Sequence, residues 1–132
     1  MAPPGSTLLG RRGDEALFVK SWGSFPEVEV LPNNHRTSVA GLQVGVNRIR
    51  WVHPASTPDH RHDDAEQVIL MLSGRMEMTI DGEEYEMAEG DVAVIPKGVS
   101  HHGRTLGEDA VFYEVFAPLR VQNLVGFIGK VF

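Results

Sequence analysis

The sequence predicts an all-β fold, a jelly-roll barrel of two packed sheets, and it does so on three kinds of signal. Segments of β-favouring residues are short and broken by turn residues about every eight to twelve positions. Most of them alternate apolar and polar side chains with a period of two. Long helical periodicity is absent. Together these give roughly ten short strands, a number typical of two-sheet jelly rolls.

Residues 1–16 are rich in Pro, Gly, Ser and charge and read as a poorly ordered leader, which leaves a single domain over 17–132. EVEVLP alternates Glu27 and Glu29 with Val28 and Val30, a strand with one buried face. GLQVGV, with Leu42, Val44 and Val46 in alternation, reads as another strand. NRIRWV follows it, with Ile49 and Trp51 on one face and Arg48 and Arg50 on the other, and Gly45 marks an expected bulge where the register shifts. EQVILML and RMEMTI flank Ser73 and Gly74, and Asp81-Gly82, a dipeptide favoured in type I′ turns, leads on to EEYEM. These are consecutive antiparallel hairpins. DVAVIP, SHHGRT and AVFYEVF continue the series, with turns at AEGD, PKG and LGED. The tail LVGFIGKVF, interrupted by Gly126 and Gly129, reads as an edge strand or a dimer contact.

Composition bounds what such a domain can do. At 132 residues a single core is expected, and 42% hydrophobic with 23% charged residues argues against general disorder. A net charge of −6 and a pI near 5.4 disfavour nucleic acid as a partner, because displacing its counterions needs clustered Lys and Arg. Cysteine is absent, so any metal must be held by His, Asp, Glu or amide groups. The start lacks a signal-peptide pattern, and no run approaches the length of a spanning helix. The default expectation is a cytoplasmic protein with no membrane partner.

Chemistry concentrates in HRHDDAEQVILMLSG, residues His60 to Gly74. His60 and His62 are two apart, so in an extended segment both imidazoles project to one side and Arg61 to the other. That spacing suits capture of a metal ion by both rings. Asp63, Asp64, Glu66 and Gln67 are the candidates for the next ligand. Strand alternation separates the last two, because Gln67, Ile69 and Met71 share one face while Glu66, Val68, Leu70 and Leu72 share the other. Downstream, GDVAVIPKGVSHHG offers His101 after a strand and a Pro-Lys-Gly turn.

Gly90, Pro96, Gly98 and His101 read G-x5-P-x-G-x2-H, which resembles the second conserved motif of the cupins, with Thr105 where Asn is usual. The first cupin motif, G-x5-H-x-H-x3-4-E-x6-G, is matched by His60, His62 and Gly74, with Pro54 in place of the opening Gly. Counting back from Gly74 along that motif lands on Gln67, so the resemblance implies His60, His62, Gln67 and His101 as metal ligands, with Glu66 as the fallback. The fold it implies is the cupin double-stranded β-helix. A neutral amide in place of the usual carboxylate leaves a divalent ion at about +2 rather than about +1, which strengthens Lewis acidity. Zn and Ni are favoured, while mixed N and O donors also admit Fe, Mn and Co.

In AVFYEVFAPLR, Phe112, Glu114 and Phe116 share one strand face. If that face is inward, Glu114 is a carboxylate beside the metal, suited to acid or base work; if outward, Tyr113 and Val115 fill the barrel instead. EVFAPLR is similar to the D-V-F-x-P-x-R segment of small cupins associated with pectin degradation, which open the ring of unsaturated uronates. That resemblance implies an acidic role for Glu114, an aromatic substrate contact for Phe116 and a carboxylate-binding role for Arg120. Those cupins also use Gln as a metal ligand, as do cupin-type aromatic polyketide cyclases. His35, His53 and His102 read as structural or exposed, with one of them as a possible extra ligand, and Asp63 and Asp64 as a solvated bend. Arg48 and Arg50 either line the cavity to hold an anion or form a solvated face.

The expected function is a metal-dependent, nonredox lyase, isomerase or cyclase acting on a small anionic carbonyl or hydroxyl substrate, in a homodimer. A non-catalytic cupin binding a sugar or effector is the alternative, and a metal-dependent dioxygenase the third.

Overall fold

The computed structural model describes residues 19–123. The expected leader over 1–16 and the apolar tail over 124–132 lie outside the described residues. Nine strands form among the described residues: β1 (Val28–Leu31), β2 (Asn34–Ala40), β3 (Gly45–Trp51), β4 (Glu66–Ser73), β5 (Arg75–Ile80), β6 (Glu83–Ala88), β7 (Val92–Ile95), β8 (His101–Thr105) and β9 (Ala110–Ala117). A six-stranded sheet in the order β1-β2-β3-β9-β4-β7 faces a three-stranded sheet in the order β6-β5-β8, and all pairings are antiparallel. This is the jelly roll that the alternation predicts. None of the described helices is long and apolar enough to cross a membrane.

From β4 onward the strands fall where the sequence places them, and Asp81 and Gly82 take φ of 52° and 81°, as the type I′ turn requires. The first third departs from expectation at three points. NHRTSVA forms β2, which the alternation rule misses because its inward residues, Asn34, Arg36 and Ser38, are polar. GLQVGV is not a strand of its own: Gly41 to Val44 make a turn closed by Gly41 N–H donating to Val44 O at 2.9 Å, and Leu42 is 74% exposed. Gly45 carries no bulge, since β3 keeps one register from Gly45 to Trp51 against both neighbours. The register shifts lie instead between Glu29 and Leu31 and between Met71 and Ser73. EVEVLP supplies β1, an edge strand whose Val28 and Leu31 are exposed, so it lacks the buried face expected of it.

Register turns the large sheet's inner face into rows. Asn34 pairs with Trp51 and Trp51 with Ala110. The next row is Arg36, Ile49, Phe112 and Met71, the next Ser38, Asn47, Glu114 and Ile69, and the last Ala40, Gly45, Phe116, Gln67 and Ile95. The apolar members meet Met76, Met78 and Met87 of the small sheet in one cluster, and Trp51 packs edge-on to Phe112 with centroids 5.1 Å apart. Burying each such large side chain stabilises the fold by about 1.5–3 kcal/mol. Polar side chains occupy the third row and the near ends of the first two, and there the two sheets enclose a cavity rather than solid core.

Candidate metal centre

The segment between β3 and β4 carries His60 and His62 and is clamped to β8 by backbone bonds. His60 N–H donates to His101 O at 3.0 Å and His101 N–H to His60 O at 2.8 Å, while Gly98 N–H holds His62 O at 2.8 Å. Gly98 takes φ +77° in the turn before β8, a conformation that favours glycine. The three histidines thus converge, with one ligand nitrogen from each lying within 4.8 Å of the others, and this cluster can hold a metal ion.

Their protonation suits that task. His60 Nδ1 lies 2.8 Å from Pro58 O and His101 Nδ1 3.0 Å from Val99 O. A carbonyl only accepts, so both Nδ1 atoms donate, which in a neutral ring leaves the lone pair on Nε2. Burial, with the Arg120 charge adding to it, pushes His62 down to about 4, and burial also lowers His101, so both stay neutral near pH 7. The His62 ring stands edge-on to Phe116, with centroids 5.1 Å apart.

Gln67 faces the same chamber from β4 and is 3% exposed, whereas Glu66 points outward and is exposed. Its Nε2 donates to Glu114 Oε2 at 2.9 Å, which turns Oε1 the other way. Glu114 Oε1 accepts from Asn47 Nδ2 at 2.9 Å, and Ser38 Oγ donates to Asn47 Oδ1 at 2.5 Å. Glu114 is therefore inward, as one of the two readings of β9 has it, and it lies in a chain of polar side chains. Gln67 Oε1 and His101 Nε2 are both buried and have no partner among the described residues. Two such acceptors beside two more imidazoles are what a cation would satisfy, so the donors present fit a metal.

The cavity measures about 60 Å3 and runs from the three histidines and Gln67 past Glu114 to Asn34, Arg36 and Trp51. Phe116 and Arg120 do not line it. Phe116 is buried beneath His62, while Arg120 donates from Nε to Asp64 Oδ1 at 2.8 Å, bonds Asn123 and stacks its guanidinium 5.8 Å from the Phe116 ring centre. Arg50 is bound by Glu27 at 2.7 Å outside the barrel, and Arg48 also lies outside the cavity, so the solvated reading of that face holds. Asp63 pairs with Arg61 at the surface. His35 stands near Glu29, His53 Nδ1 bonds Thr105 Oγ1 at 2.7 Å and His102 Nδ1 bonds Asp59 at 2.9 Å, so none of the three joins the cluster. Asn34, Arg36, Asn47 and Trp51 are cavity or network residues that sequence reasoning misses. The alternating polar residues of NHRTS carry the signal for the first two.

A family model for the cupin domain matches residues 50–116. Quercetin 2,3-dioxygenase of Bacillus subtilis is 47% identical over 73 residues, 55% of this chain and 22% of that protein. The pectin degradation protein KdgF of Dickeya dadantii is 31% identical over 65 residues, 49% of this chain and 59% of that protein. The matched segments thus span less than two thirds of either relative. Among solved structures, KdgF from Halomonas sp. superposes with a TM-score of 0.73 at 23% identity, over 77% of this chain and 94% of that one. With a jelly roll, a histidine cluster at the motif positions and a family model spanning both motifs, the chain belongs to the cupin domain family.

Proposed function

We propose that this cupin is a metal-dependent enzyme performing nonredox lyase, isomerase or cyclase chemistry on a small anionic substrate that carries a carbonyl or hydroxyl group. One observation carries the reading: Gln67 lines the same cavity as the three histidines with a neutral, buried and unpartnered Oε1, while its Nε2 is held by Glu114. His60, His62, Gln67 and His101 are the proposed ligands, and imidazole and amide donors bring no negative charge to the ion they hold. A divalent ion there, Zn or Ni by preference, supplies Lewis acidity toward a substrate oxygen.

The remaining work falls to the chain. Glu114 holds the Gln67 amide in one orientation and lines the cavity, so its carboxylate also serves as the group that takes and returns a substrate proton. Asn47 and Ser38 fix Glu114 from behind. Phe116 backs the His62 ring, and Arg120, tethered to Asp64, lies over the Phe116 ring. The 31% identity to the pectin degradation protein KdgF over 65 residues supports substrates of the unsaturated uronate kind. The proposal includes a small molecule as the partner and the homodimer expected from apolar edges, of which edge strand β7 exposes Val92 and Val94.

Metal analysis of protein purified without added metal tests the ligand set. His60→Ala, His101→Ala and Gln67→Ala are expected to lose stoichiometric metal and Glu66→Ala to retain it; the reverse for Gln67 and Glu66 sinks the assignment. Turnover of unsaturated uronates, lost with metal retained in Glu114→Gln, separates an enzyme from a binding module. The 47% identity to quercetin 2,3-dioxygenase favours a second reading, oxygen-dependent cleavage. Oxygen uptake with quercetin, measured on the same metal-loaded protein, decides between them.

A further inference from the structure

The end of the cavity away from the histidines is built from groups that the metal reading leaves unused. Asn34 and Trp51 are Cα partners across β2 and β3, and Arg36 lies two residues along β2 on the same inward face. Each lines the cavity. Asn34 is 2% and Trp51 3% exposed, and the Arg36 side chain 17%. Asn34 Oδ1, Arg36 Nε and Trp51 Nε1 are buried and have no partner among the described residues. A buried polar atom without a partner destabilises the fold, so three on neighbouring inward positions form a recognition surface rather than a packing accident.

Their polarity specifies the ligand. Arginine Nε–H and indole Nε1–H can only donate, and an amide oxygen can only accept. The complement is a group with two acceptors beside one donor, as in a carboxylate flanked by a hydroxyl. Charge points the same way. Arg36 Nη2 lies 3.9 Å from Glu114 Oε1, so these two charges offset one another, and the four proposed metal ligands bring no negative charge. A divalent ion then leaves the chamber with an excess of about +2, which an anionic ligand lowers. The volume limits size: at about 60 Å3 the cavity takes roughly four to six water-sized groups.

We propose that Asn34, Arg36 and Trp51 form a carboxylate-and-hydroxyl subsite, which receives the acid end of a small hydroxy acid, or of the enol form of an oxo acid, and leaves its other oxygens toward the histidines. This rests on the metal-dependent reading above and names the end of the substrate that the inner wall holds. It places the acid group on Arg36, whose Nη1 is held by Asn123 O at 3.1 Å but whose Nε is unpartnered, and not on Arg120, which does not line the cavity and whose Nε is bound by Asp64.

The two tryptophans make the test internally controlled. Trp22 Nε1 donates to Tyr113 Oη at 3.2 Å and Trp22 does not line the cavity, while Trp51 lines it and its Nε1 has no partner among the described residues. In proton–nitrogen correlation spectra of zinc-loaded protein titrated with glycerate, the Trp51 indole signal is expected to move saturably and the Trp22 signal to stay. Glycerol, which lacks the carboxylate, is expected to move neither. Arg36→Gln should weaken glycerate binding by at least about tenfold, the loss of a charge-assisted hydrogen bond. Trp51→Phe keeps the packing on Phe112 but removes the donor, and is expected to cost about three- to tenfold, read by calorimetry. The Trp22 signal reports folding of Arg36→Gln. A Trp51 signal unmoved by glycerate, with zinc bound stoichiometrically, overturns the subsite and leaves the metal reading standing. Equal affinity in wild type, Arg36→Gln and Trp51→Phe overturns it as well, whereas failure to bind zinc at all strikes the metal reading first.

Discussion

Gln67 shows how a neutral side chain is made directional. An isolated amide presents oxygen or nitrogen with little preference, but Glu114 accepts only from Nε2, so Oε1 is turned from Glu114 and left without a partner in the cavity that the histidines line. His62 is tuned differently, by burial. Its folded-state value near 4 lies below the ordinary 6.5, so between those limits the unfolded chain binds a proton that the folded chain refuses. Stability of the metal-free protein is therefore expected to be fully present above about pH 6.5 and to fall as pH drops toward 4. Urea midpoints measured across that window check this, and His62→Gln should flatten the slope in part, with His101 contributing the same sign. A midpoint independent of pH in the wild type contradicts it. The ligand candidates were legible in the sequence because strand phase and motif interval both count residues. Arg36 and Asn34 were not, because a polar residue on an inward face imitates an exposed one until the opposite sheet is in place.

At the level of elements, the strands that read most easily, β4 to β9, are those whose inward positions are mostly apolar, with Gln67 and Glu114 among the exceptions, and whose turns carry Gly. β2 was illegible for the converse reason: its inward column serves the cavity, so function erased the hydrophobic period. Gly74, at the turn from β4 to β5, ties motif to geometry. It holds φ +77°, and a Cβ there would lie 1.9 Å from Asp109 O. Gly74→Ala is expected to cost more than about 2 kcal/mol, a fall in melting temperature of roughly 10 °C or more, followed by calorimetry. Gly82 has φ +81° but open space around it, so Gly82→Ala should cost only about 1 kcal/mol. Equal losses in the two variants would place the cost in the dihedral angle and not in the approach of Asp109.

Across the whole molecule, the proposed ligands come from three independent pieces of chain: Gln67 from the large sheet, His101 from the small one, and His60 and His62 from the segment that passes between them. An ion bound to all of them acts as a rivet through the sandwich. Its binding energy adds to folding, by about 2.7 kcal/mol at a free concentration a hundred times its dissociation constant. The signature is correlated rather than local. Amide deuterium exchange should slow together in β4 and β8 when zinc is added and stay unchanged in edge strand β1, while protection confined to one sheet would show that the ion hangs from that sheet alone. With the rivet drawn, the two faces of the barrel are expected to come apart as separate events, so the metal-free protein should unfold with a broader transition than the loaded one.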